Sequence, residues 1–473
     1  MKNKGILWAL VILLMLHAEG FAQTGASAHL QKIRNHRAEL AAFFKSFPKG
    51  GDLHHHFDGS VYGETYLEIA IDKGFQVHMK TLEVRPGTAG KAEGDWVDLA
   101  SISRTFAFAE LRERLLQRWS IRNFQPGFLT PEAHFFNAFM GFIPIMLADV
   151  KRGMQELKQR AIAEQVLYLE SIFLPMQLPS LPASHENFNA EMIKVGALRD
   201  EAAAFAVFDA YSKVLGFETL EQYALQHNAY VDSLHQGIDT VGFSMRYHNY
   251  VVRVFQPSQL FRDMYAAFIS ADASQWIVGV NIVAPEDDPV TQRDYWLQMI
   301  MYKYFHRMYP NVRYAMHAGE LAPGMVKPEE MSWHIRDALT IAGASRIGHG
   351  TDLPWETKYL DILQDMRTRQ IPVEVNLSSN AFLLGVARDA HPFMLFKQAE
   401  VPIVLSTDDA GVLRGSLTEE YMLAVQWFPE IQYEDLKEIS RNGIRYGFME
   451  PSLKAQLLEV LETKFEAFEA QYR

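Results

Sequence analysis

Three consecutive histidines, within Leu53-His54-His55-His56-Phe57-Asp58-Gly59, are the first residues in the chain that invite chemistry. On a β-strand, alternate side chains share a face, so His54 and His56 would point one way and His55 the other. Two imidazoles on one face of one strand suit a single metal ion. Three later segments carry complementary groups: Met316-His317-Ala318-Gly319-Glu320, Arg346-Ile347-Gly348-His349-Gly350-Thr351-Asp352 and Leu405-Ser406-Thr407-Asp408-Asp409. Singly, each also reads as ordinary structure: a surface histidine patch, a tight turn, a helix-cap pair. Their joint occurrence, each behind a strand-like run, argues against coincidence.

The chain has no cysteine, which excludes disulfides, thiolate ligands and cysteine nucleophiles. A metal would therefore be held by nitrogen and oxygen. His54, His56, His317 and Asp408 would supply three imidazoles and one carboxylate, a set suited to zinc, although iron, cobalt or manganese also accept such ligands. Bound zinc lowers the pKa of water from about 15.7 to about 7, giving hydroxide at neutral pH. Asp408 and His349 would orient that hydroxide. Glu320, beyond His317, would approach the substrate and act as a general acid if burial raised its pKa.

Such groups need a frame that brings distant segments together. Val166-Leu167-Tyr168-Leu169, Trp276-Ile277-Val278-Gly279-Val280-Asn281-Ile282-Val283, Val312-Arg313-Tyr314-Ala315-Met316, Val373-Glu374-Val375 and Pro402-Ile403-Val404-Leu405 read as buried parallel strands. Helical patterns lie between them, for example over 331–342 and 392–399. Strand and helix in alternation predict an α/β fold, and the regular recurrence in the second half predicts a (β/α)8 TIM barrel. Its active site would sit at the C-terminal strand ends. Residues 23–473 are read as one barrel domain with helical insertions near 60–160 and 174–237, parts of which should cover the site. Phe135, Phe136, Phe139 and Phe142 are read as helix core.

The 473 residues are 48% apolar and 22% charged, ordinary for a globular enzyme, with a formal net charge of −12. No basic block stands out, so neither nucleic acid nor an anionic membrane surface is an expected partner. Residues 1–22 have the form of a secretory signal peptide: Lys2 and Lys4, an apolar run from Ile6 to Leu16, then Gly20-Phe21-Ala22. That run is shorter than the roughly 20 residues of a membrane-spanning helix; an uncleaved anchor is the alternative. The mature protein is expected to be exported, periplasmic or extracellular, and free of the membrane after cleavage. A homo-oligomer is compatible with the sequence.

Taken together, the four segments resemble the adenosine deaminase family of the metal-dependent amidohydrolase superfamily. Its pattern runs His-x-His-x-Asp-Gly, His-Ala-Gly-Glu, Gly-His-Gly and Thr-Asp-Asp, and all four occur here in that order. Glu374-Val375-Asn376 and Ala390-His391-Pro392-Phe393 also look like family segments. The helical patterns around 111–119 and 154–167, with the exported character, look most like the secreted adenosine deaminase-related growth-factor branch. Animal members of that branch carry cysteines, and this chain has none.

The resemblance implies one zinc ion held by His54, His56, His317 and Asp408. It implies that Glu320 protonates purine N1 as hydroxide attacks C6, with His349 as base and electrostatic partner of the zinc-bound water. Asp409 would hydrogen-bond purine N7, Asp58 would reach the ribose side, and the backbone N–H of Ala284 would face the purine. His55 would be structural. The implied reaction is hydrolytic deamination of adenosine and 2′-deoxyadenosine to inosine and ammonia. The alternatives are an aminohydrolase for another 6-aminopurine or modified nucleoside, and a catalytically idle nucleoside-binding protein. Two departures bear on the substrate. Ala284 stands where the family usually has glycine, and Ala410-Gly411 follows the aspartate pair where proline is common.

Overall fold

The computed structural model describes residues 25–87, 93–127 and 129–473; the signal segment expected at 1–22 lies outside them. Eight short, buried runs form the strands β1 (Lys49–His56), β2 (Val166–Ile172), β3 (Ser244–Val252), β4 (Ile277–Val283), β5 (Arg313–Ala318), β6 (Arg346–His349), β7 (Val373–Val375) and β8 (Ile403–Leu405). They pair in sequence order, every pair parallel. The ring is drawn together where β1 meets the segment after β8. His56 N–H donates to Asp408 O at 2.9 Å, and Asp408 N–H donates to His54 O at 2.8 Å. The result is a nearly closed (β/α)8 barrel surrounded by helices.

A register shift between Asp52 and His55 sets two residues of β1, Leu53 and His54, against Glu170 of β2. An extra residue of this kind changes the phase of a strand. Asp52 and His55 accordingly both line a small outer cavity of about 30 Å³ against Leu157 and Arg160. His54 and His56 are left facing the barrel mouth.

The sequence pattern did not announce β3. Its Arg246, His248 and Asn249 are polar yet buried, because this strand turns polar groups into the barrel interior and against the outer helices. The first insertion is also not purely helical: Gln76–His78 pairs antiparallel with Val84–Arg85 and Trp96–Asp98. That small sheet is held by Arg85, whose guanidinium bonds Gln76 Oε1 at 2.9 Å and lies 4.0 Å from the Trp96 ring centre. The helix expected over 331–342 is broken into a turn at Pro328–Met331, a short helix at His334–Asp337 and a wider turn at Ala338–Ala342. Glu356 explains the break, since its carboxylate accepts the N–H groups of Ile335 and Arg336 at the start of the short helix. The second insertion is helical as expected, over Glu186–Leu198, Glu201–Leu215 and Phe217–His235. Among the described residues, no single helix is long and apolar enough to cross a membrane.

The barrel centre is ionic where an aliphatic filling would be usual. Arg346 pairs with Glu170 at 2.6 Å and with Glu374, and all three side chains are fully buried. His248 and the Tyr168 hydroxyl complete the Glu170 carboxylate at 2.7 and 2.5 Å. Phe448 covers the guanidinium at 3.8 Å from its ring centre. Removing one member of such a network strands its partners without water. Arg346→Met is therefore expected to lower the unfolding free energy by about 3–5 kcal/mol in equilibrium urea denaturation; a loss below about 1 kcal/mol would show that the network contributes little.

Candidate active site

Each residue singled out for chemistry lies at or just beyond the C-terminal end of a barrel strand. His54 and His56 end β1, His317 is in β5, His349 ends β6, and Asp408 follows β8. His54 Nε2 and His56 Nε2 each lie 3.1 Å from His317 Nε2. Asp408 Oδ1 lies 3.5 Å from His54 Nε2 and 3.3 Å from His56 Nε2. A tetrahedron with metal–ligand bonds of about 2.0–2.1 Å has edges of roughly 3.3 Å, so these separations match those around one small cation. The four residues span the chain from the first strand to the last.

Their hydrogen bonds explain why a cation fits. Ile282 N–H donates to Asn281 Oδ1 at 2.8 Å, which identifies that atom as oxygen. His317 Nδ1 lies 2.9 Å from the same oxygen and must donate to it, leaving a lone pair on Nε2. His54 Nδ1 donates to Glu374 Oε2 at 2.7 Å in the same way. One lone pair on His317 cannot serve both His54 and His56, whereas a divalent ion satisfies all three Nε2 atoms at once. Burial, then the neighbouring imidazoles, hold His317 far below its ordinary pKa, as a ligand requires. Burial acts to raise Asp408, but its His54 hydrogen bond and the His349, His54 and His56 rings outweigh that and keep it ionised. His349 also comes within 4.8 Å of His54, His317 and Asp408. His56 makes close contacts with both His317 and Asp408, at 3.1 and 3.3 Å.

Glu320 stands beside this cluster, its carboxyl 3.6 Å from His349 Nε2 and 17% exposed toward the cavity. Burial, then the Asp408 and Glu286 carboxylates, drive its pKa well above the ordinary value, the direction that favours the protonated form. Its backbone is pinned from behind. Glu286 accepts the N–H of Gly319 at 3.1 Å and of Glu320 at 2.7 Å, and pairs with His334 at 2.5 Å. Arg253 adds a bond to the His317 carbonyl at 2.6 Å. Asp409 is buried, and burial, then Asp408 and Asp58, also drive its carboxyl well upward. Burial pushes Asp58 up to about 6.

These groups open into a cavity of about 300 Å³. Its polar lining includes His56, His317, Glu320, Asp408, Asp409 and Asp58, and its apolar and aromatic lining includes Phe135, Phe136, Phe139, Ile143, Tyr250 and Leu383. Its lining includes no lysine or arginine. Phe136, 38% exposed, departs from the helix-core reading; Phe135 is buried in the core and Phe139 packs against it, although both also line the cavity. Their helix, Pro131–Met146, lies across the barrel mouth and presents one face to the cavity, while Phe142 is buried against Tyr66 with ring centres 4.7 Å apart. A larger groove, about 380 Å³, is lined by Pro402 and Ile403 at the start of β8, the opposite end from the imidazoles.

His55 points away, with Nδ1 3.3 Å from Ser171 Oγ. Ala284 lines the cavity with φ +85°, a conformation that suits glycine. Asn281, Arg253, Glu286, His334, Glu170 and Asn380 support the site without having been marked in the sequence. Glu170 and Asn281 carried a signal, each a polar residue within an otherwise apolar strand run.

Comparison with known proteins agrees with this architecture. The profile of the adenosine deaminase family matches residues 218–464. An adenosine deaminase of Enterococcus faecalis is 28% identical over 152 residues, 32% of this chain and 41% of that protein. An aminodeoxyfutalosine deaminase of Streptomyces coelicolor is 30% identical over 27% of this chain and 32% of its own length. These two matches therefore span less than half of either relative. An adenosine deaminase of Clostridium acetobutylicum is 22% identical over 417 residues, 87% of this chain and 96% of that protein. In fold, the chain resembles the Arabidopsis N6-mAMP deaminase, with a TM-score of 0.55 at 19% identity over 89% of this chain and 99% of that one. With its profile covering more than half of the sequence, the chain belongs to the adenosine deaminase family.

Proposed function

We propose that the protein is a zinc-dependent hydrolytic deaminase that converts adenosine and 2′-deoxyadenosine to inosine and ammonia. The observation that carries this reading is the placement of the Glu320 carboxyl, 3.6 Å from His349 Nε2, beside the cluster of His54, His56, His317 and Asp408, where burial pushes its pKa upward. A proton donor and a metal-binding set on the same rim are what hydrolysis of a 6-aminopurine needs; a simple binding protein has no use for both. Zinc bound by those four residues would supply a water molecule nucleophilic at neutral pH.

The remaining chemistry falls to side chains. Glu320 gives its proton to purine N1, which breaks the aromatic ring system and makes C6 electrophilic. His349 steadies the charge that develops as water adds at C6; one of the water's protons passes to the C6 amino group, which leaves as ammonia, and the other restores the Glu320 carboxyl. Purine N7 is an acceptor, so Asp409 must donate to it, and the raised pKa of its carboxyl keeps the necessary proton in place. Asp58 faces the ribose. The cavity's charged side chains are all carboxylates apart from any charge on histidine, so a phosphate would find no lysine or arginine there. This favours neutral nucleosides over nucleotides.

The apolar wall of Phe135, Phe136, Phe139 and Leu383 favours a second reading, a 6-aminopurine nucleoside enlarged by an apolar substituent. The aminodeoxyfutalosine and N6-mAMP deaminases among the similar proteins are consistent with it. We further propose that one barrel domain spans residues 23–473 and that the protein is exported, on the strength of residues 1–22. Placement in the growth-factor branch rests on the sequence resemblance alone.

Zinc-loaded protein should convert adenosine to inosine, followed by the ultraviolet absorbance change, and a chelator should stop the reaction until zinc is restored. Glu320→Gln should keep its zinc and lose roughly 10²- to 10⁴-fold in kcat; near-normal turnover would sink the acid role. Ala284→Gly relieves a positive φ and should raise the unfolding free energy by up to about 1 kcal/mol, with zinc content unchanged. A drop in stability would contradict the strain argument.

A further inference from the structure

The His391 segment, noticeable in the sequence but without a part in the chemistry so far, sits directly behind His349. Hydrogen-bond directions here can be read from a donor that has no choice. Phe393 N–H lies 3.1 Å from His391 Nδ1, so that nitrogen accepts. Burial pushes the His391 imidazolium down to about 3, so the ring is neutral and its proton sits on Nε2. His391 Nε2 faces Asn380 Oδ1 at 3.1 Å and donates to it. The amide therefore turns its nitrogen the other way, where Asn380 Nδ2 lies 2.9 Å from His349 Nδ1. An amide nitrogen only donates, so His349 Nδ1 accepts and a neutral His349 carries its proton on Nε2. That atom faces Glu320 at 3.6 Å, on the side of the metal cluster.

The relay is rigidly built. Asn380 lies in the helix Leu377–Leu383, whose first N–H groups, at Leu377 and Ser378, are capped by the buried Glu420 carboxylate at 2.8 and 3.3 Å. Asn376 Nδ2 also approaches the His349 ring, but at 3.4 and 3.5 Å to its two nitrogens, too evenly to set the tautomer.

We propose that His391 and Asn380 are positioning residues that hold His349 as its Nε2–H tautomer, a hydrogen-bond donor to the reacting oxygen in place of a base. A donor there stabilises negative charge as it develops at the reacting centre. The same proton removes the Nε2 lone pair, so His349 cannot join the metal ligands despite lying within reach of them. The ligand set then closes on His56. The inference rests on the proposed reaction only for its kinetic consequence; the tautomer itself is independent of it.

Ring 15N shifts of histidine-labelled, zinc-loaded protein test it, with His349 assigned by the signals missing in His349→Gln. The wild type should show a protonated Nε2 and a bare Nδ1 at His349. Asn380→Asp replaces the donor by an acceptor and should invert that pattern. It should also lower kcat for adenosine by about 10²- to 10⁴-fold, the scale seen when a catalytic histidine is held in the wrong tautomer, with KM and zinc content little changed. His391→Gln can still donate to Asn380 and should keep most of kcat, whereas His391→Leu should not. A role limited to packing would lower stability and spare the tautomer. A protonated Nδ1 in the wild type overturns the inference even if Asn380→Asp fails to fold. Wild-type protein that deaminates no purine nucleoside sinks the proposed function instead, while the ring shifts still decide the tautomer.

Discussion

Two backbone hydrogen bonds carry most of this architecture. The exchange between His54 O, Asp408 N–H, Asp408 O and His56 N–H joins the first strand to the segment after the last, drawing a sheet into a barrel. The residues that make those bonds are also the ones whose side chains converge. Their alternation along β1 sends His54 and His56 to the mouth while His55 packs outward. Closure of the fold and assembly of the metal-binding set are thus one event. A small shift in the β1–β8 register would disturb both.

Around that seam the protein spends polar groups where apolar ones would pack more simply. Glu374 directs His54, Arg346 holds Glu374, and Glu170 balances Arg346, so a ligand at the mouth is tied to charges at the barrel centre. Buried pairs of this kind add little net stability, since desolvation offsets most of their attraction. Their value lies in orientation. His349 and Asp408 both have positive φ, +65° and +59°, at the ends of their strands. Such backbone costs on the order of 1 kcal/mol per residue and persists where its surroundings over-determine it. Here the Asn380 contact and the barrel-closing bonds do so.

The cavity combines opposed surfaces. Carboxyl groups line its floor, several driven toward their neutral forms by burial and by one another, while the Pro131–Met146 helix supplies an aromatic roof. A neutral, flat, nitrogen-rich ring suits both, with proton donors at its edge and apolar contact on its face. The proposed metal binding, acid catalysis and preference for uncharged nucleosides would all draw on that low-dielectric, acid-rich environment.

Much of this was legible in the sequence. The four short segments, the cysteine-free ligand set, the strand–helix alternation and the split between His55 and its neighbours all follow from residue type and local period. Their information is local, because side-chain alternation and metal-ligand chemistry hold over a few residues. What lay beyond local pattern was decided by tertiary structure. β3 looked unlike a strand because its polar residues are satisfied only inside the closed barrel. Phe136 looked like core, and the cavity-facing edges of Phe135 and Phe139 went unread, because nothing in a helix's period says that its neighbour is a cavity. Whether His56 or His349 completes the proposed ligand set, and the tautomer proposed for His349, turn on partners such as Asn380 and His391. Hydrogen-bond direction is a property of groups in contact, and only the fold puts those groups together.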